Sequence, residues 1–129
     1  MFSFKNIVAV AILLFGTTFL WMMPLFIGPK ATGMLWNVAQ VLGFLAIVGF
    51  TATAWGIVTG AGWWEPVAIA SGVVGLAATL PYALAAPATV AADDPLSLVI
   101  NIGMHALGSA AVIAILTVQP AEQWLAGRL

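Results

Sequence analysis

The chain has 129 residues, 64% of them hydrophobic and 5% charged, with three Lys and Arg against four Asp and Glu and no Cys. A soluble domain carries about 25% charged residues, so this composition excludes a water-soluble globule, and its apolar content excludes a disordered chain. Three cations cannot form a nucleic-acid footprint, and without Cys there is no disulfide, thiolate metal site or Cys nucleophile.

What remains is an all-α integral membrane protein, with the lipid bilayer as its first partner. A helix crossing the hydrocarbon core needs about 20 apolar residues. Four stretches qualify, and none contains Asp, Glu, Lys or Arg: 7–27, 35–59, 66–84 and 96–118. They predict an antiparallel four-helix bundle, read as one transmembrane domain over 1–129. Strands are excluded because a membrane barrel alternates polar and apolar residues, whereas these runs are apolar on both parities.

The first stretch, 7–27, follows Lys5 and contains Pro24. A secretory leader also starts with a cation before an apolar run. This run is long for a leader, and no clear A-x-A site follows it, so it reads as a mature helix. Gly28, Pro29, Lys30 and Gly33 mark the link to the second stretch. The second, 35–59, carries Asn37, Gln40 and a row of small residues at four-residue spacing: Ala52, Gly56 and Gly60. Gly60 and Gly62 mark the next link.

The third stretch, 66–84, starts at Pro66, where a missing N–H costs nothing. Glu65 stands at the favourable end of its dipole. It carries Ala68 with Gly72, Ser71 with Gly75, then Thr79 and Tyr82. Pro81 is expected to kink it near its outer end, as Pro24 would kink the first. The longest link follows, with Pro87, Asp93 and Asp94; Asp94 is a plausible N-cap before Pro95. The fourth stretch, 96–118, carries Ala106, Ala110 and Ala114, and Pro120 stops it. Residues 121–129 are expected to form a short interfacial segment with Trp124 facing lipid. Small-residue rows let helix backbones approach where lipid gives little hydrophobic drive, inside one bundle or between copies.

Four spans place both termini on one side. The six Trp then fall near the membrane boundaries, where indoles favour the interface. Lys5 and Arg128 lie on the terminal side and Lys30 opposite, which puts both termini in the cytoplasm by the positive-inside rule.

The polar side chains gather in one half of the membrane. Ser97, Asn101, His105 and Ser109 recur every four residues, sweeping an arc of about 120° on the fourth helix. At 1.5 Å per residue, His105 lies within about 3 Å of the midplane and Asn101 about 9 Å towards the non-terminal side. Gln40 and Tyr82 come out at about 10 Å on that side, and Thr79 at about 6 Å, with Asn37 further out. Asp93 and Asp94 would stand at the mouth. The expectation is an outward-facing polar pocket lined by His105, Asn101, Ser97, Gln40, Asn37, Tyr82 and Thr79.

An ionisable side chain deep in the membrane marks a functional site by default. One His without Cys or nearby carboxylates cannot supply the three or four ligands of a zinc site, so no metal site is expected. Haem needs one axial His, and a dimer could offer two. A Ser–His–Asp triad fails because Asp94 lies about 16 Å from His105 along the axis.

The leading expectation is a small accessory or ligand-holding subunit. Its ligand would be a hydrophobic small molecule with a polar head, such as a quinone, isoprenoid or lipid. Its protein partner would be a larger membrane protein or a second copy. The alternative is a membrane-embedded enzyme using His105 as general acid or base on a hydrophobic substrate, with Asn101 and Gln40 orienting an oxygen. An oligomeric small-molecule transporter comes third. Small four-helix multidrug exporters match in size and topology. However, the membrane-embedded Glu of their first helix has no counterpart in 7–27, where Thr17 and Thr18 are the polar groups.

Overall fold

The structure is a computed structural model that describes residues 3–22, 33–86 and 95–129. The described residues form five helices and no strand: α1 (Phe4–Met22), α2 (Met34–Thr59), α3 (Trp64–Ala85), α4 (Pro95–Thr117) and α5 (Gln119–Ala126). The expected elements Pro24, Lys30, Pro87, Asp93 and Asp94 lie outside the described residues, as does the far end of the 7–27 stretch.

Three helices are long and apolar enough to cross a membrane: α2, α3 and α4, of 26, 22 and 23 residues. At 1.5 Å per residue they extend about 33 to 39 Å, enough for a hydrocarbon core about 30 Å thick. α1 is apolar but shorter over its described part. This is compatible with an integral membrane protein.

The helix ends follow local chemistry. Gly60 ends α2 at φ 69°, ψ 28°, a left-handed conformation that favours glycine. Ala61 N–H then donates to the Gly56 carbonyl at 2.9 Å, and Gly60 N–H to that of Ile57 at 3.2 Å, so the last carbonyls of α2 are satisfied. The last member of the expected Ala52, Gly56, Gly60 row therefore makes a turn rather than a helix contact. α3 begins two residues before the expected start, at Trp64. Glu65 and Pro66 both fall in its first turn, where Pro66 still breaks no hydrogen bond. Pro81 lies inside α3 without ending it. α4 begins at Pro95, and Val118 then turns extended, at φ −88° and ψ 109°, to launch α5 with Pro120 in its first turn.

Side-chain contacts set the directions of packing. Trp36 meets Tyr82, Gly49 meets Ser71, and Gly56 meets Trp64, so α2 and α3 run antiparallel. Gly16 meets Phe50 in α2, while Phe15 meets Gly108 and Phe19 meets His105 in α4. Gly72 and Gly75 of α3 both meet Ser109 of α4. The long helices thus touch in the pairs α1–α2, α2–α3, α3–α4 and α1–α4, the last being the slightest.

Glycine makes these approaches possible. A Cβ on Gly75 would stand 2.9 Å from Phe19 Cζ and closer still to Ser109 Oγ. A Cβ on Gly108 would run into the Phe15 ring. Ala68, Ser71, Gly72 and Gly75 are buried, so the α3 rows pack inward as small-residue rows do in lipid. Ala110 and Ala114 are exposed, so the row on α4 faces outward. The buried face of α4 is instead set by His105 and Ser109.

Candidate functional site: a buried polar layer at His105

The polar face of α4 turns inward along its length. Ser97 is exposed, Asn101 is half-buried, and His105 and Ser109 are fully buried. The helix periodicity that put the four on one arc also carries that arc from the outside of the molecule to its centre.

His105 sits in an aromatic cage from α1 and α2. The Phe19 ring stands edge-on to the imidazole at 4.5 Å between centroids, and Phe15 lies at 6.4 Å. Phe50 closes the cluster, 5.1 Å from Phe15 and 6.0 Å from Phe19. His105 Nδ1 lies 2.7 Å from the Asn101 carbonyl oxygen, one turn back on α4. A carbonyl only accepts, so Nδ1 carries a hydrogen and donates. In the neutral ring Nε2 is then a bare acceptor. It is buried and, among the described residues, has no hydrogen-bond partner.

Two further buried polar atoms lack partners: Ser109 Oγ, one turn below His105, and Trp36 Nε1 on α2. An unpartnered buried polar group costs about 1 to 3 kcal/mol. By contrast, the hydroxyls of Thr53, Ser71 and Thr79 each donate to a carbonyl in the preceding turn, at 2.9, 2.6 and 2.6 Å. Local bonding is therefore the habit of this chain, and His105 Nε2, Ser109 Oγ and Trp36 Nε1 are the exceptions.

No protein-family model, no curated protein and no solved structure matches this chain. The reading of the site therefore stands on its geometry.

The structure brings some of the expected residues together. Tyr82 is buried on α3 and shares a side-chain hydrogen bond with Asn101. Asn101 in turn supplies the carbonyl that fixes His105. Thr79 lies one turn before Tyr82 and is buried. Gln40 is half-buried on α2. Asn37 is exposed and lines a surface groove of about 510 Å³ with, among the described residues, Gly33 and other residues of α2. Ser97 is exposed at the start of α4.

Sequence reasoning missed Trp36, Phe15 and Phe19. Trp36 was expected to anchor a membrane boundary, but it is 2% exposed and its ring lies 6.0 Å from that of Tyr82. Phe15 and Phe19 are spaced by one turn on α1, a signal of a shared face that apolar surroundings conceal. Trp55, Trp63 and Trp124 are exposed, as boundary residues would be.

Proposed function

We propose that this is a four-span membrane protein, both termini cytoplasmic, that holds a lipid-like molecule by its polar head at His105. Four antiparallel helix pairs, exposed aliphatic side chains along α2, α3 and α4, and boundary Trp residues support membrane residence. The accessory or ligand-holding role follows from one observation: a fully buried imidazole whose Nε2 has no partner, held in a fixed tautomer by Asn101.

That tautomer narrows the ligand. With Nδ1–H committed to Asn101, Nε2 of the neutral ring accepts and does not donate. The head group must offer O–H or N–H. An isoprenoid alcohol, a quinol or a lipid headgroup hydroxyl fits, while a quinone carbonyl does not. Because His105 is fully buried, the incoming group displaces part of the packing around it, which makes Phe15 and Phe19 the movable wall.

The test is purification in mild detergent followed by mass spectrometry of co-purifying lipids. The reading expects one hydroxyl-bearing ligand per chain, lost on His105→Leu while the helical fold persists. Identical lipid content in wild type and His105→Leu overturns it.

A further inference from the structure

A second region has the opposite character. α1 and α4 touch only slightly. Between them lies a cleft of about 290 Å³, lined by Ile7, Ala11 and Ile12 of α1, Val112 and Ile115 of α4, and Trp124 of α5, among others. Among the described residues no polar atom lines it. The α1 side runs from Phe4 to Ile12, about 12 Å of helix. That volume and length suit one linear hydrocarbon chain.

The mouth carries a fixed cation. The Arg128 guanidinium lies 4.3 Å from the Trp124 ring and 5.9 Å from the Phe4 ring, both of which line the cleft. Phe4 and Trp124 meet edge to face at 5.8 Å, forming a collar. Arg carries its N–H groups in a planar fork, two of which a phosphate can take together. Leu125, buried, and Leu129, packed against Ala9, Ala54 and Ile57, hold α5 in place under the helices.

We propose that this cleft binds one acyl chain of an anionic phospholipid, with the lipid phosphate on Arg128. The apolar lining selects the chain, and the stacked cation selects the headgroup charge. The site rests on membrane residence but not on His105, and it lies at the terminal side, where the cytoplasmic leaflet carries anionic lipid.

The experiment reconstitutes the full chain into bilayers of phosphatidylcholine and phosphatidylglycerol with matched chains, extracts it gently, and counts retained lipids by native mass spectrometry. Wild type is expected to keep one phosphatidylglycerol in preference to phosphatidylcholine. Arg128→Gln should cut that preference about fivefold, the effect of one cation near an anionic surface. Ala11→Phe fills the cleft from an exposed position and should cut retention of both lipids more than about tenfold, because several buried methylenes are lost. Ile115→Trp fills it from α4 and should do the same. His105→Leu removes any lipid held by its hydroxyl at His105 but should leave the Arg128-dependent preference and the losses on filling the cleft unchanged, which separates failure here from failure at His105. If retained lipid matches the bulk composition, or if neither filling variant changes it, the proposal is wrong.

Discussion

The layer at His105 and the cleft below it are built from the same helices and differ in almost every physical respect. The upper layer is tightly packed: glycines bring backbones together, three Phe rings fill the space, and a few buried polar atoms lie among them. The lower cleft is open and wholly apolar, with its one charge kept at the rim on aromatic faces. The difference shows how a chain with so few polar groups can divide its work. A buried polar atom without a partner defines a chemical preference, while an unfilled apolar gap defines only a shape. The first must open to be used, and the second stands ready.

The sharpest way to separate the regions is to add bulk to each. Gly75→Leu places atoms where Phe19 and Ser109 already stand. It should destabilise the protein by more than about 3 kcal/mol, read as a large fall in thermal midpoint or in folded yield in detergent. Ala11→Phe, the same kind of change in the cleft, should leave stability within about 0.5 kcal/mol of wild type. Equal losses in both would mean that the cleft is closed packing.

His105→Leu should lose the head-group ligand while staying within about 1.5 kcal/mol in stability, because a side chain of similar size replaces an unpartnered polar group. A collapse of the fold would instead make His105 a structural member of the layer. Gly60→Ala forces a side chain into left-handed backbone and should cost about 1 kcal/mol, measured by thermal unfolding. Tyr82→Phe removes the bond to Asn101 and should cost about 0.6 to 1 kcal/mol, with a partial loss of ligand as the carbonyl that orients His105 loosens.

Much of the architecture could be read from the sequence because bilayer thickness and hydropathy act on long segments. The boundaries of α2 and α4 and the turn at Gly60 fall within two residues of expectation, and the short C-terminal helix starts at Gln119, two residues before its expected start. The small-residue rows of α3 were legible, but that they pack inward rather than between copies is a finding of the structure. The outward facing of the α4 row is another, since Ala106, Ala110 and Ala114 carry no mark of which side faces the neighbours. Axial depth placed His105, Asn101, Tyr82 and Thr79 at related levels, and the structure pairs the first three. Depth says nothing about azimuth, so Asn37 was grouped with residues it turns away from. The cage of Phe15 and Phe19, the burial of Trp36 and the cleft under α5 depend on which helices adjoin. That is a tertiary fact with no local signal in so uniformly apolar a chain.

The chain has a single His, so nitrogen NMR of histidine-labelled protein reports this one ring without assignment. The account predicts a ring protonated at Nδ1, with an Nε2 resonance that shows a hydrogen bond in protein purified with its lipid and loses it after exhaustive delipidation. An Nε2 resonance unchanged by removing lipid, or a ring protonated at Nε2 alone, would contradict it.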